Sequence, residues 1–258
     1  MGKKKKAPRK ILGVDIGGSG IKGAPVQTRD GTLISERYRI PTPQPATPKA
    51  VAETVYEIMK ATGWKKPIGC TVPGRVVRGV VETAANIDDA WVGTDAQKLF
   101  SKVCGVPVAV LNDADAAGLA EVKYGAGKKE DGEVLVLTFG TGIGSALFID
   151  GHLVPNTEFG HMHYDKRIAE HVAADSVRTK EHLSWEKWAT RRVQPVLEMY
   201  EFILSPDLII VGGGVSKPER WELFGPALKT KATLRPAALG NEAGIVGAAL
   251  AARDMMDG

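Results

Sequence analysis

Two glycine-rich segments carry the chemistry that is easiest to read. Asp15-Ile16-Gly17-Gly18-Ser19-Gly20-Ile21-Lys22 and Thr138-Phe139-Gly140-Thr141-Gly142-Ile143-Gly144 each interrupt an apolar run with closely spaced glycines. Without a Cβ, glycine lets backbone N–H groups turn toward an anion and approach it closely. A phosphate suits such a turn. Gly17, Gly18, Ser19, Gly20 and Lys22 would supply amides, a hydroxyl and a charge in the first copy; Thr138, Gly140, Thr141 and Gly142 would do so in the second. Either segment alone is equally well explained as a tight hairpin without a ligand. Asp15, at a strand end, is placed to hold a hydrated Mg²⁺ beside the phosphates. Overlaying the turns puts Thr138 where Asp15 stands, so the second copy offers hydroxyls where the first offers a carboxylate. Neither segment is a Walker A loop, which requires Gly-Lys-Ser/Thr opening a helix.

Between the two lies Val108-Ala109-Val110-Leu111-Asn112-Asp113-Ala114-Asp115, an apolar strand delivering polar residues to the start of an alanine-rich helix. Asp113 could be a helix N-cap or a general base that takes the proton of an attacking hydroxyl. Asp115 competes for either role but sits further into the helix, which favours Asp113. Asn86, Asp88, Asn112, Asp113, Glu158, His161 and Glu186 form a polar set whose paired donors and acceptors match the adjacent hydroxyls of a sugar. His161, His163 and Asp165 look superficially like a metal site, but no cysteine lies nearby and zinc is not expected.

The elements that position these residues repeat. A strand over Lys10–Asp15, the first glycine turn, a strand over Ile21–Val26, an Asp30-Gly31 turn and a strand over Thr32–Ile40 are answered from residue 133. There Glu133–Phe139, the second glycine turn, Ser145–Ile149, the Asp150-Gly151 turn and Leu153-Val154 follow in the same order. Two copies at corresponding places imply a duplicated α/β domain. The remaining pattern predicts helices near Pro48–Ala61, Asp95–Cys104 and Glu242–Ala252, and strands at Ile68–Val72, Val76–Val81 and Leu208–Val211. It also predicts an irregular polar stretch over Glu158–Thr179. A long helix over Ser184–Leu204 follows, with Trp188, Val196, Tyr200 and Ile203 inward and a kink at Pro195.

Composition bounds the class. The 258 residues are 43% hydrophobic and 25% charged, ordinary for a globular chain. A net charge of +4 is too mild to imply nucleic-acid binding. Much of that excess is Lys3 to Lys6 with Arg9 and Lys10, expected as a disordered basic tail. Gly13, Asp15 and Gly17-Gly18 interrupt the apolar residues after it, so no secretory signal is expected. No apolar run approaches the roughly 20 residues of a membrane span, so no membrane association is expected either. Cys70 and Cys104 form no CxxC pair and are expected as half-buried free thiols of a cytoplasmic protein.

Taken together, the motifs resemble the ROK family of sugar kinases within the actin-like ATPase superfamily. The matching residues are Asp15-Ile16-Gly17-Gly18, Val72-Pro73-Gly74, Asn112-Asp113-Ala114, Gly140-Thr141-Gly142-Ile143-Gly144, Glu158-Phe159-Gly160-His161, Gly212-Gly213-Gly214-Val215 and Ala243-Gly244-Ile245-Val246-Gly247-Ala248. The resemblance implies an actin-like (ribonuclease H-like) fold, with two duplicated α/β domains flanking a cleft. After the tail at 1–9, the domains are expected at 10–112, with the helix at 242–254 packed on it, and at 113–241. The resemblance also implies Asp113 as catalytic base and Asn86, Asn112, Glu158 and His161 as sugar contacts. Glu186, in Trp185-Glu186-Lys187-Trp188-Ala189, stands where related kinases carry a further sugar-binding glutamate, and Gly213 and Gly214 join the phosphate-binding set. Many relatives hold zinc through the matching histidine and a downstream cysteine cluster, but Lys166–Leu183 contains no cysteine.

Within the family, Thr83–Asp88, Leu111–Glu121 and Pro155–Glu158 are most similar to actinobacterial members that use inorganic polyphosphate. The implied activity is transfer of a terminal phosphoryl group, from polyphosphate or ATP with Mg²⁺ or another divalent cation, to the 6-hydroxyl of glucose. The alternatives are an ATP-dependent enzyme that also accepts mannose and a sugar-binding regulator without activity. Family habit implies a homodimer. Lys22, Lys128, Lys129, Lys217 and Arg220 are candidates for a basic track along a polyphosphate.

Overall fold

The computed structural model describes residues 10–84 and 87–257; the basic tail at 1–9 and Asn86 lie outside the described residues. β1 (Lys10–Gly17) and β2 (Gly20–Gln27) make an antiparallel hairpin, and β3 (Tyr38–Ile40) joins the outer edge of β2. After α1 (Pro48–Ala61), β4 (Ile68–Val72) returns parallel to β1. A small hairpin of β5 (Val76–Val77) and β6 (Val80–Val81) precedes α2 (Ala96–Cys104). β7 (Val108–Asn112) then pairs parallel with β4 and runs directly into α3 (Asp113–Tyr124).

The hairpin is repeated by β8 (Glu133–Phe139) and β9 (Ile143–Ile149), with β10 (His152–Val154) on its outer edge. Short elements follow: β11 (His163–Tyr164), β12 (Arg167–Ile168), α4 (Glu170–Ala173), α5 (Asp175–Lys180) and α6 (Trp185–Trp188). Beyond α7 (Gln194–Leu204), β13 (Leu208–Gly213) pairs parallel with β8, and after α8 (Pro218–Phe224), β14 (Thr233–Pro236) pairs parallel with β13. α9 (Ala243–Asp257) ends the chain. The two five-stranded sheets read β3-β2-β1-β4-β7 and β10-β9-β8-β13-β14, the same order and the same strand directions.

The chain forms two compact units, one up to Ala120 and from Glu242 onward, the other Glu121–Asn241. The division falls inside α3 rather than after Asn112, because the early turns of α3 pack against α9. A Cβ on Gly247 would lie 1.8 Å from the Ala116 carbonyl oxygen. α9 also lies directly on the sheet, since a Cβ on Gly69 would lie 1.7 Å from the Ala248 carbonyl oxygen. Alternation along β1 turns Leu12, Val14 and Ile16 to the opposite face, where they are buried with Val51, Val55, Ile58 and Phe100. Asp15 is therefore on the α9 side. In the second unit Leu135, Leu137, Ile209 and Val211 are buried with Trp188, Val196, Leu197 and Tyr200.

Several elements differ from the pattern read in the sequence. The strand over Thr32–Ile40 shrinks to Tyr38–Ile40, with Leu33 making one isolated bridge to Val26 and the exposed Ser35, Glu36 and Arg37 outside the ladder. Val76–Val81 folds back at Arg78 and Gly79, which have φ of 50° and 84°. The irregular stretch over Glu158–Thr179 contains β11, β12, α4 and most of α5. The long helix splits into α6, a π-helical turn over Ala189–Val193 and α7, whose first turn carries Pro195; the extra residue in the turn absorbs its missing N–H. Ile203 is half-exposed and Leu197 takes an inward place. Cys70 and Cys104 are buried rather than half-buried. Burial pushes both thiols up, Cys104 to about 11.

Candidate active site

In the first hairpin Asp15 and Lys22 are directly opposed across β1 and β2, so both side chains leave the same face. Their charged atoms are 3.7 Å apart. Asp15 Oδ1 also accepts from Thr71 Oγ1 at 3.0 Å, and Thr71 Oγ1 accepts from the Ile16 N–H at 2.9 Å. A Cβ on Gly244, in the first turn of α9, would lie 2.7 Å from Asp15 Oδ1. The carboxylate is thus held by β2, β4 and a helix N-terminus, where the helix dipole favours negative charge. Gly17 pairs with Gly20, which leaves Gly18 and Ser19 as an exposed two-residue tip. Arg39 on β3 donates to the Ser19 carbonyl at 3.1 Å and Thr42 Oγ1 donates to the Gly17 carbonyl.

The second hairpin closes one pair earlier, at Phe139 and Ile143, and leaves Gly140, Thr141 and Gly142 as its tip. Thr138 is opposed by Gly144 and, on its other side, by Gly212 of β13. α5 is fastened to this tip: the Ser176 N–H donates to the Gly140 carbonyl at 3.0 Å and Ser176 Oγ to the Thr141 carbonyl at 2.7 Å. Gly213 pairs with Phe139, so the turn at Gly213 and Gly214 leaves the sheet beside the hairpin tip. Arg220 Nη1 donates to the Gly214 carbonyl at 2.9 Å.

Asp113 is the first residue of α3, half-buried at the end of β7. The capping role falls to Asn112: its Oδ1 accepts from the N–H groups of Ala114 and Asp115 at 2.8 and 3.0 Å. Its Nδ2 donates to the Gly74 carbonyl at 3.0 Å. The Asn112 amide thus fixes the turn that presents Asp113, and the Gly74 bond uses one of the two Nδ2 hydrogens, leaving the expected sugar contact a donor. Asp113 Oδ1 accepts from its neighbour Ala114 N–H at 2.9 Å. Asp88 caps a short 3₁₀ turn by accepting from the Ala90 N–H at 2.9 Å. The expected sugar contact Asn86 lies outside the described residues.

In the second unit Glu158 and His161 meet, with Glu158 Oε2 3.3 Å from His161 Nδ1. β9 positions them: Ser145 Oγ accepts from the Phe159 N–H at 2.9 Å and donates to the Thr157 carbonyl. At Gly160 a Cβ would lie 2.1 Å from the Ile143 carbonyl oxygen, so only glycine lets this turn lie against the hairpin. Buried Tyr200 donates its hydroxyl to the Phe159 carbonyl at 2.8 Å. Burial, and secondarily the Glu170 carboxylate, pushes the Tyr200 hydroxyl up.

Glu170 is the residue that sequence reasoning missed. Its Oε1 lies 3.9 Å from His161 Nε2, and its Oε2 accepts from the Ile143 N–H at 3.3 Å, linking the Glu158–His161 pair to the hairpin. Glu186, expected as a further sugar-binding glutamate, is exposed on α6, and among the described residues no hydrogen bond or ion pair to its carboxylate joins it to Glu158 or His161. A glutamate two residues after the Arg167–Ile168 strand, opening α4, was the available signal. Arg39 was missed because its partner is twenty residues away in a hairpin tip.

Among the described residues there is no group of three or more His, Cys, Asp or Glu side chains able to enclose a metal ion. Asp15, with one partly exposed carboxylate beside a lysine, suits a Mg²⁺ that keeps its waters and takes its remaining ligands from substrate phosphates. Among the same residues no helix is long and apolar enough to cross a membrane.

Two sheets of the same order, each with a glycine turn at its hairpin, and an aspartate at the end of β7 make an arrangement suited to phosphoryl transfer. The ROK family model matches residues 11–174, and the chain belongs to the ROK family. It is 51% identical over 242 residues to the polyphosphate glucokinase of Mycobacterium tuberculosis, covering 93% of this chain and 90% of that one. The crystal structure of an inorganic polyphosphate/ATP-glucomannokinase from Arthrobacter superposes with a TM-score of 0.88 at 47% identity, covering 94% of this chain and 98% of that one. A ROK family glucokinase from Streptomyces griseus, solved with glucose and AMPPNP, shares the fold with a TM-score of 0.80 at 23% identity, over 95% and 99% of the two chains. The fold is that of the actin-like ATPases.

Proposed function

We propose that this protein is a glucokinase that transfers the terminal phosphoryl group of inorganic polyphosphate to the 6-hydroxyl of glucose, giving glucose 6-phosphate. The observation that carries the reading is the 51% identity to a polyphosphate glucokinase across nearly the whole of both chains. The side chains described above suit that chemistry. Asp113 accepts the proton of the attacking hydroxyl, a contribution of about 10²–10⁴-fold in such reactions. Asn112 holds the turn that aims it. Glu158, His161 and Glu170 offer acceptors and a ring nitrogen to sugar hydroxyls, and Asn86 is a further contact. Amides at Gly17–Gly20 in the first unit, and in the second those at Gly140–Gly142 with Thr138, Gly213 and Gly214, are suited to phosphate oxygens, and such contacts supply most of the stabilisation of a transferring phosphoryl group. Mg²⁺, when bound with the donor and held through water by Asp15, would neutralise phosphate charge.

A second reading adds ATP as donor and mannose as acceptor. It is favoured by the 47% identity to an enzyme described as a polyphosphate/ATP-glucomannokinase. Parallel assays decide between them: glucose with polyphosphate, glucose with ATP, then mannose with each. Glucose 6-phosphate from polyphosphate is expected. Product from ATP alone would overturn the polyphosphate assignment, and no product from either donor would overturn the kinase reading.

A further inference from the structure

We infer that Arg178 and Arg220, both packed against Trp185, form a second phosphate subsite that takes the part of a linear phosphate chain beyond the groups held by the glycine turns. The inference rests on the donor reading of those turns given above.

In open α/β sheets ligands bind beyond the carboxyl ends of the parallel strands. For β8 and β13 those ends are Phe139 and Gly213, which pair with each other. Two helices rise from this edge, and each delivers an arginine. α5, fastened to the hairpin tip through Ser176, carries Arg178; α8 carries Arg220, whose guanidinium reaches back to the Gly214 carbonyl at 2.9 Å. The guanidinium carbons lie 3.8 Å (Arg178) and 6.0 Å (Arg220) from the Trp185 ring centre. The indole is itself fixed, stacked on Phe224 at 5.7 Å and edge-on to Trp188 at 5.8 Å.

The two arginines differ in how their charge is met. Arg178 pairs with Asp175 at 2.7 Å. For Arg220, no carboxylate lies within ion-pair distance among the described residues, although Glu219 and Glu222 stand exposed on the same helix. A partly buried guanidinium with one donor on a carbonyl and no counter-ion, at the rim of a glycine turn, has the charge and the planar fork that phosphate oxygens match. Lys217, exposed at the N-cap of α8, adds a further positive charge on the same rim. The shared chemistry is a chain of linked phosphates, supplied by polyphosphate or by the triphosphate of ATP. Repeated charge beyond the reacting group favours the longer chain.

The test is binding of medium-chain polyphosphate, and separately of ATP, to the whole protein without glucose, by calorimetry and by tryptophan fluorescence. The variants are R220Q, R220K, R178K and W185F. R220Q is expected to weaken polyphosphate binding by about tenfold or more, the loss of one charged hydrogen-bonding partner. It should also make the dependence on salt shallower, as for any polyelectrolyte that loses a contact. R220K should fall between R220Q and the wild type, and the fluorescence response should be lost in W185F. In kinetics, the KM for polyphosphate should rise in R220Q while the KM for glucose moves by less than about twofold. Polyphosphate binding by R220Q within twofold of wild type overturns the subsite. So does a larger loss for ATP than for polyphosphate, which would mark an adenine contact instead. If R220Q fails to fold, the affinities of R220K and R178K carry the test, since lysine keeps the charge but loses the planar fork, and polyphosphate binding within twofold of wild type in both overturns it. A wild type that binds polyphosphate but makes no sugar phosphate would leave the subsite standing and remove the kinase reading.

Discussion

The two hairpins share a place in sheets of identical order, yet their matching positions hold opposite chemistry. Asp15 faces Lys22, whereas Thr138 faces Gly144. A carboxylate on the face that packs against α9 needs a countercharge and a donor, and Lys22 and Thr71 supply them. A threonine needs neither. It needs room, which Gly212 leaves, since a Cβ there would lie 3.2 Å from Thr138 Cγ2. The tips differ as well, two residues in the first hairpin and three in the second. Topology survived the duplication while the side chains divided the work. At the matching positions the first unit has a carboxylate paired with a lysine, and the second has a threonine between two glycines.

The largest expected effect lies with the acid of the first unit. Asp113→Asn should lower turnover by about 10²–10⁴-fold with glucose affinity largely intact, as read by steady-state kinetics and calorimetry. Turnover near wild type would remove Asp113 as the base. The next effect is on stability and lies at Glu121, where the second unit begins. Buried Glu121 accepts from the N–H groups of Ala126, Ala238 and Leu239. Glu121→Ala leaves these donors without their acceptor and should cost about 3 kcal/mol or more, a fall of roughly 10 °C in Tm by calorimetry. A smaller effect is expected at the second hairpin, where Thr138→Val should raise the KM for the donor by about tenfold, the scale of one hydrogen bond to a charged group. The smallest concerns the thiols. Because burial pushes the Cys104 thiol up to about 11 and raises that of Cys70 as well, neither should be alkylated in the folded protein near pH 8. Rapid labelling, followed by mass spectrometry, would contradict the burial of both.

What was legible in the sequence was local. Both glycine turns, the strand that ends in Asn112-Asp113 and the repeated hairpin order depend on residues a few positions apart, and the structure has each of these elements. Asn112 and Asp113 are adjacent, so the sequence alone could not say which of them caps α3; Gly74, nearly forty residues away, settles it by taking Asn112 Nδ2. Glu170 was illegible because its partners, Ile143 and His161, are distant in the chain and meet only once the Glu158–His161 turn lies on β9. Arg178 and Arg220 come together only because α5 and α8 both pack on Trp185. The inward place given to Ile203 failed at the end of its helix. Val196 and Tyr200 do face inward with Leu197, but Ile203 stands in the last turn of α7, where its side chain is half-exposed.

The division of work between the hairpins is tested most directly by the Mg²⁺ dependence of glucose phosphorylation in Asp15→Asn and Thr138→Val, measured side by side. Asp15→Asn should raise the Mg²⁺ concentration for half-maximal rate by about 10–100-fold, the usual cost of losing a group that holds a metal through its outer shell. Thr138→Val should leave that concentration unchanged while weakening the donor. An equal shift in both variants, or none in Asp15→Asn, would contradict the account.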